Sequence, residues 1–226
     1  MRHTYGKYRQ SITSAFDIII FRLTRDFRNI LIGDSHSSFL IHNSLKSSSY
    51  NSNIWNYYLG PKTLFSIAHK GVSLSSENVR NLQVIRPHRA IFLFGEIDVR
   101  TRLAETPNHN LLREFSVKYI GSLMNFCDLH SISKRVILEA PPPTNSEIQN
   151  PDYPFSGTLE ERVAVHNLFF SILDSECANK GISFVPFPQI LKNKFYELDM
   201  KHSFDGCHLN ESANTIWLKS ILDTLP

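Results

Sequence analysis

Several residue types are scarce in this chain of 226 residues, and each scarcity excludes a class of protein. Three cysteines, Cys127, Cys177 and Cys207, are too few and too odd in number for a disulfide framework. Nine glycines and 11 prolines exclude a collagen-like or low-complexity chain. The longest apolar run near the start, Ile18 to Phe21, is far shorter than the roughly 20 residues of a membrane span.

Charge of one sign is scarce as well. The formal net charge is only +3, which gives no strong signal for nucleic acid or a membrane surface. What the chain does contain is 42% apolar and 12% aromatic residues, which excludes a disordered protein. We therefore expect a soluble, globular protein of a reducing compartment, and we predict a cytoplasmic location.

The beginning of the chain differs in charge from the rest. Residues 1–30 carry +4, so the remaining residues sum to −1. A secretory signal would need a longer apolar stretch, since four apolar residues are followed here by Arg22. We predict a basic extension over residues 1–28, followed by one domain over 29–226. The extension is either a surface segment packed on the domain or a basic arm that binds a partner.

The hydrophobic pattern predicts strands that alternate with helices. The predicted strands are 29–32, 63–68, 90–94, 135–139 and 182–185. The predicted helices are 36–46, 76–85, 110–130, 158–180 and 212–225. Ser76 is a plausible N-cap, Thr158 and Glu161 form a capping box, and Gly181 ends the longest of these helices.

This alternation predicts an α/β fold with a mainly parallel sheet. Unbroken apolar runs occur within these strands, as in Ile30 to Ile32 and Ala90 to Phe94, and a sheet covered by helices on both faces requires such runs. Exposed loops are expected over 47–53, which is rich in Ser and Asn, and over 141–157, which contains five prolines. Trp55, Tyr57 and Tyr58 follow the first loop, and we interpret them as one packed aromatic cluster, with stacking on a sugar as the alternative.

Polar residues follow the predicted strands, at the edge where parallel α/β sheets hold their active sites. Ser35 lies at a strand-to-helix turn, where free N–H groups favour a developing negative charge. A serine hydroxyl needs a neighbouring base, which His208 can provide, and Asp205 can orient that imidazole. Taken singly, Ser35 reads as a helix N-cap and His208 as a surface histidine.

Four sequence blocks resemble those of the SGNH or GDSL hydrolases. They are Gly33-Asp34-Ser35-His36, a glycine taken to be Gly71, a third block from Gly95 to Asp98, and Asp205-Gly206-Cys207-His208, in an order that fits residues 29 to 224. The family implies a three-layer, flavodoxin-like α/β/α fold with a mainly parallel five-stranded sheet. It also implies ester cleavage through a serine acyl-enzyme, with no cofactor.

By position, the resemblance makes Ser35 the nucleophile, His208 the base and Asp205 its orienting group. It makes the backbone N–H groups of Ser35 and Gly71 the oxyanion donors. The remaining candidates for oxyanion or substrate contacts are Asp34, His36, Gly95, Ile97 and Arg100.

The third block departs from the family pattern, because Gly95-Glu96-Ile97-Asp98 stands in place of Gly-x-Asn-Asp. Ile97 has no side-chain donor where the family has its oxyanion-hole Asn. Another side chain, such as His36 or Asn43, can supply the donor, or two backbone N–H groups can suffice for a slower reaction. A third explanation is a site that only binds. The complete set of serine, histidine and aspartate favours the first two.

Two further patterns near the site have alternative interpretations. Arg100 can clamp an anionic part of the substrate, or it can form an internal salt bridge to Glu96 or Asp98. His202, Asp205 and His208 are all possible metal ligands, but Gly206 indicates a loop, and we predict no metal site. Cys207 is a packed small residue or, in electropositive surroundings, a reactive thiol.

The sequence thus predicts an esterase that acts on a small-molecule or carbohydrate ester and binds no nucleic acid. An acyltransferase would use the same residues, with a sugar hydroxyl in place of water. A non-catalytic module that binds a glycan or a partner is the third reading. The oligomeric state stays unassigned.

Overall fold

The computed structural model of this chain describes residues 29–46, 54–105, 108–146 and 152–225, and for residues 42–46 the backbone alone. The predicted extension over 1–28 and the predicted loop over 47–53 lie outside these ranges. So does part of the predicted proline-rich loop, residues 147–151.

Five strands form one sheet in the described part of the chain. Every pairing is parallel, and the order across the sheet is β2-β1-β3-β4-β5, which is the flavodoxin-like order. The strands are β1 (Asn29–Gly33), β2 (Ile54–Tyr58), β3 (Arg89–Leu93), β4 (Lys134–Leu138) and β5 (Ser183–Val185). The predicted α/β fold with a five-stranded parallel sheet is therefore confirmed.

Helices cover both faces of this sheet. They are α1 (Ser35–Lys46), α2 (Leu64–Lys70), α3 (Ser76–Ile85), α4 (Glu96–Thr101), α5 (His109–Leu129), α6 (Leu159–Asn179) and α7 (Glu211–Thr224). Helix α1 packs on α7, whereas α5 packs on both α2 and α6. Right-handed crossover connections place α1 on one face of the sheet and α5 on the other. The reason is that the chain crosses the sheet in one direction from β1 to β2 and in the opposite direction from β3 to β4.

The core lies on both sides of the two central strands. Ile30, Leu31 and Ile32 of β1 are at most 1% exposed, and Phe92 of β3 is fully buried. An apolar strand of this kind is stable only when helices cover both of its faces. The carboxyl ends of β1 and β3 consequently open at the middle of one sheet edge, where the site lies.

The prediction of a strand over residues 63–68 is wrong. Thr63 is the N-cap of α2, and its Oγ1 accepts a hydrogen bond of 3.0 Å from the Ser66 N–H. The second strand is β2, which contains the predicted aromatic cluster of Trp55, Tyr57 and Tyr58. Aromatic and β-branched residues fit a half-covered edge strand, and Tyr57 is only 2% exposed there.

The other predicted elements agree with the structure to within one or two residues. The N-cap of α3 is Ser75, not the predicted Ser76, because the Ser75 Oγ accepts from the Asn78 N–H. The capping box of Thr158 and Glu161 is present, with both of its reciprocal hydrogen bonds. Helix α4 was not predicted. No helix within the described ranges is long and apolar enough to cross a membrane.

Candidate active site

The turn between β1 and α1 presents Ser35 at the beginning of a helix. Gly33 allows this turn, because a Cβ there would lie 2.6 Å from both the Leu93 carbonyl oxygen and the Ser37 Cβ. Asp34 closes the turn, with its Oδ1 accepting from the His36 N–H at 3.0 Å and its carbonyl oxygen accepting from the Ser37 N–H and Oγ. Within the described residues the Ser35 N–H has no partner, so it is free to bind an anion.

The loop before α7 carries the other two predicted groups. The Asp205 Oδ1 accepts from the N–H groups of Cys207 and His208, at 2.9 and 2.7 Å. The Ser203 Oγ donates to the His208 carbonyl and accepts from the Gly206 N–H, both at 2.9 Å. These bonds hold the Asp205 carboxylate and the His208 ring on the same side of a tight loop.

The three side chains form a continuous hydrogen-bonded series. His208 Nδ1 lies 2.7 Å from Asp205 Oδ2, and His208 Nε2 lies 2.9 Å from the Ser35 Oγ. Because a carboxylate only accepts, Nδ1 carries the ring proton, and Nε2 then presents its lone pair to the Ser35 hydroxyl. This is the arrangement in which a histidine can remove the serine proton.

The Asp205 carboxylate is held in its charged form. Partial burial alone would raise its pKa, but the hydrogen bond and charge of His208 and the two backbone N–H groups lower the pKa to about 2. Asp205 therefore stays ionised at every pH at which His208 can act as a base, and it can stabilise a positive charge on the imidazole.

Aromatic rings surround the His208 imidazole. Its centroid lies 4.4 Å from the Phe39 ring, 4.8 Å from the His36 ring and 5.9 Å from the Phe204 ring. His208 is consequently only 7% exposed, while Phe204 remains more than half exposed at the rim. The packing fixes the ring plane and keeps water from one side of it. Phe39 and Phe204 were not predicted, since nothing in the sequence pattern places two phenylalanines 165 positions apart against one histidine.

The predicted position of Gly71 is wrong. Gly71 follows α2, not a strand, and it forms the C-cap of that helix. The glycine beyond β2 is Gly60, with φ of +77°. Since Gly33 pairs with Tyr58, Ser35 and Gly60 both lie two residues past the ends of neighbouring strands. The Gly60 N–H has no hydrogen-bond partner in the described part of the chain. The error came from the misplaced second strand.

The third block begins helix α4. Gly95 is its N-cap with φ of +124°, and a Cβ there would approach side-chain atoms of Leu64 and Phe170 to 3.0 Å.

Asp98 is fully buried and accepts from the N–H groups of Leu64 and Phe65, at 2.5 and 3.2 Å. Burial outweighs these bonds and raises the pKa of Asp98 to about 6. Asp98 thus ties α4 to the beginning of α2. Ile97 is also buried, 4% exposed.

His36 and Arg100 meet at Glu96. Arg100 forms a two-point ion pair with Glu96, with Nε 3.0 Å from Oε1 and Nη2 3.1 Å from Oε2. The His36 Nε2 lies 3.7 Å from Glu96 Oε2 and 3.9 Å from the Cys207 Sγ. Burial lowers the pKa of His36. Burial alone would raise the pKa of Glu96, but His36 and Arg100 lower it overall. The internal salt bridge, one of two readings of Arg100, is thus present.

The other side chains predicted to contact the oxyanion or the substrate are His36, Asn43 and Asp34. The His36 Nε2 faces Glu96 and Cys207, and the side chain of Asn43 lies outside the described residues. Asp34 is 1% exposed, and burial, with the charges of Glu96 and Asp98, raises its pKa well above the usual range. Asp34 therefore shapes the turn.

One group of side chains within the described ranges has the spacing of a metal site. The ligand atoms of His36, Cys207 and His208 lie within 4.8 Å of one another. Burial raises the pKa of the Cys207 thiol well above its usual range, which disfavours the thiolate that binds metals. His202 does not belong to this group, so the string of His202, Asp205 and His208 is not brought together as a ligand set.

No protein-family model matches the amino-acid sequence, and no curated protein matches it either. Solved structures do resemble the fold. A GDSL-like lipase from Bacteroides thetaiotaomicron superposes with a TM-score of 0.58 at 15% identity, covering 88% of each chain. A catalytic mutant of an acetylxylan esterase from Geobacillus stearothermophilus superposes with a TM-score of 0.54 at 12% identity, covering 86% of this chain and 92% of its own. The chain therefore has the fold of the SGNH hydrolases.

The acetylxylan esterase offers a further comparison. Its catalytic mutants replace a serine, an aspartate and a histidine, and the last two lie three residues apart in that protein.

Proposed function

We propose that this protein is a serine esterase that cleaves an O-acyl ester of a small molecule or carbohydrate through an acyl-enzyme on Ser35. The observation that carries the proposal is the hydrogen-bonded series from Asp205 through His208 to the Ser35 hydroxyl, at 2.7 and 2.9 Å. A base within this distance, oriented by a carboxylate, is what a serine needs to become a nucleophile.

The first half of the reaction forms the acyl-enzyme. The Ser35 Oγ attacks the ester carbonyl carbon while its proton moves to His208 Nε2, and Asp205 stabilises the resulting imidazolium. The carbonyl oxygen becomes an oxyanion and accepts from the N–H groups of Ser35 and Gly60. When the tetrahedral intermediate collapses, the C–O bond to the alcohol breaks, and the His208 proton moves to the departing alkoxide oxygen.

The second half of the reaction releases the acid. A water molecule takes the place of the alcohol beside His208, which removes its proton as the water oxygen attacks the acyl carbon. The same two N–H groups bind the second oxyanion. Collapse breaks the bond to the Ser35 Oγ, which regains its proton from His208, so the enzyme returns to its starting state.

The oxyanion site differs from the family pattern in its third donor. Ile97 cannot donate, and loss of one such donor typically costs about 10²–10³ in rate. Two backbone donors remain, the Ser35 N–H at the beginning of α1 and the Gly60 N–H in the loop after β2, and neither needs side-chain ordering. We therefore assign a slow or substrate-restricted esterase, not an inactive scaffold.

The comparisons support the same reaction class. The structural neighbours include a lipase and an acetylxylan esterase. The esterase has a catalytic aspartate and histidine three residues apart, the spacing of Asp205 and His208. At 12% identity this likeness supports the fold alone. The proposed chemistry is argued from the side-chain geometry of this chain.

The test is release of acid from O-acetylated sugars and from aryl acetates. We expect turnover by the purified chain that is lost in Ser35→Ala. Ser171→Ala is the matched control, because Ser171 is exposed on α6 and away from the strand ends. A neutral sugar added as acceptor separates the two acyl-enzyme outcomes, since a transferase forms an acylated sugar instead of free acid. Binding of sugars without turnover of any ester would overturn the proposal in favour of a binding module.

A further inference from the structure

Among the described residues, one buried arginine beside the proposed catalytic loop forms no ion pair with a carboxylate. Arg162 lies on α6 and is 6% exposed. Its Nη1 donates to the Gly157 carbonyl oxygen at 3.0 Å, and its guanidinium carbon lies 4.3 Å from the centroid of the Phe155 ring. Within the described ranges no Asp or Glu oxygen lies within 4.0 Å of it. A buried charge without a counter-ion is costly, so this position needs an explanation.

Arg162 faces a cleft next to the catalytic loop. The cleft has a volume of about 30 Å³, and its lining includes Arg100, Arg162, Phe155 and Cys207. A space of this size takes one small polar group, such as the end of a larger ligand, and not a sugar ring. Cys207 immediately precedes His208, so the cleft lies within reach of one substrate molecule bound at Ser35.

The charges around the cleft do not cancel. Glu96 also lines the cleft, but its carboxylate is already engaged at two points by Arg100. The guanidinium groups of Arg100 and Arg162 therefore share one carboxylate, which leaves the lining of the cleft with an excess of positive charge. Burial and the neighbouring Arg100 charge lower the pKa of Arg162, and together they outweigh the opposing effect of the Glu96 charge.

We propose that this cleft binds a carboxylate on the alcohol part of the substrate, so that the preferred esters are O-acylated hydroxy acids. The inference rests on the proposed esterase function and narrows its substrate class. A planar guanidinium matches a carboxylate with two parallel hydrogen bonds. The alcohol oxygen must lie against His208 to receive its proton, and the cleft is lined by Cys207, the residue before His208, whereas the proposed oxyanion donor Gly60 follows β2. The alcohol part is therefore the part that reaches the cleft.

The experiment compares carboxylate esters with their methylated, uncharged counterparts. The substrates are 3- and 4-acetoxybenzoate, which sample two distances, and their uncharged methyl esters. We expect kcat/KM to favour a charged ester, and we expect this charged-to-neutral ratio to fall about 10- to 100-fold in Arg162→Gln, the effect of one lost charge-assisted interaction. Arg162→Lys should fall between the two. Arg113→Gln, at an exposed arginine paired with Glu176, is the control and should keep the ratio.

A second set of measurements leaves Arg162 unchanged, and its calorimetric part requires no turnover. We expect benzoate to compete with a neutral ester in the unsubstituted protein, and 4-acetoxybenzoate to bind Ser35→Ala in calorimetry. 4-Acetoxyphenyl phosphate is the comparison anion, and a preference for the phosphate alone would overturn the carboxylate assignment.

The outcomes separate the two proposals. Ester turnover with equal rates for charged and neutral substrates, and no competition by benzoate, would overturn the carboxylate cleft and leave the esterase intact. Binding of 4-acetoxybenzoate to Ser35→Ala that Arg162→Gln removes, without turnover of any ester by the unsubstituted protein, would support the cleft and overturn the esterase.

Discussion

The Oγ of Ser35 lies 2.9 Å from Nε2 of His208, although 173 positions separate the two residues in the sequence. The sheet produces this proximity, because Ser35 follows the central strand β1 and His208 precedes α7, the helix that packs on α1. Two elements that contact each other therefore carry the nucleophile and the base. The same packing sets the position of Asp205 through its bond to the His208 ring.

Replacing Asp205 should impair catalysis without unfolding the protein. In Asp205→Asn the amide no longer stabilises an imidazolium and can hold the His208 ring in the wrong tautomer, so we expect kcat to fall about 10³- to 10⁴-fold. The measurement is hydrolysis of 4-nitrophenyl acetate. Asp199→Asn, at a carboxylate paired with Lys201 in the same stretch of chain, is the control. A fall of less than about tenfold would contradict the assigned role.

The low pKa of Asp205 also predicts a stability effect at acidic pH. Its folded pKa of about 2 lies below the usual 3.8, so its contribution to stability is present above about pH 4 and is lost as the pH falls through 2. Since the side chain is 30% exposed, we expect this contribution to be about 1 kcal/mol. The free energies of unfolding of the unsubstituted chain and of Asp205→Asn, measured in urea, should therefore converge as the pH falls. A difference between them that does not change with pH would contradict this prediction.

Asp98 should show the opposite pH dependence. Its folded pKa of about 6 lies above the usual 3.8, so the folded state holds the proton more tightly, and stability falls as the pH rises from about 4 to 7. We expect a fall of about 1–3 kcal/mol in the free energy of unfolding, absent from Asp98→Asn. Denaturant unfolding at several pH values measures it. If the free energy of unfolding changed with pH in the same way for the two proteins, burial would not be what sets the pKa of Asp98.

Gly33 should tolerate no side chain. In Gly33→Ala the new Cβ would meet the Leu93 carbonyl oxygen and the Ser37 Cβ at 2.6 Å, so the turn must shift. We expect destabilisation of about 1–3 kcal/mol and reduced reactivity of Ser35. Gly121→Ala is the control, because Gly121 lies within α5 with no atom near its Cβ position, and it should stabilise the protein by about 0.5–1 kcal/mol. Equal stability of the two variants would contradict the close packing of the turn.

Much of the fold can be predicted from local sequence. Unbroken apolar runs, Ile30 to Ile32 and Ala90 to Leu93, form the centres of β1 and β3, and Thr158 with Glu161 defines the beginning of α6. These signals depend only on neighbouring residues. The edge strand β2 was not predicted, because Trp55-Asn56-Tyr57-Tyr58 is not an unbroken apolar run like that of an interior strand. The mostly apolar segment Leu64 to Ala68 was predicted as a strand instead, although it is helical. The choice between helix and strand for short apolar runs depends on tertiary packing.

The candidate site was predictable to the same extent. Ser35, Asp205 and His208 come from recognisable blocks, and the structure brings the three side chains together. Gly60 was missed because its position depends on the register between β1 and β2. Arg162 was missed because a single arginine in a helix looks like any solvated one, and its burial becomes visible only when Phe155 and the cleft are in place.

The most direct test of the central claim is the reactivity of Ser35 itself. A fluorophosphonate transfers its phosphonyl group to a serine Oγ that a neighbouring base has activated, with loss of fluoride. We expect mass spectrometry to locate the label on Ser35 in the folded chain at about pH 6 to 9. We expect no label on Ser35→Ala and strongly reduced labelling of His208→Ala, with Ser171→Ala labelled normally. A folded chain that takes up no label at Ser35 over that range would contradict the account.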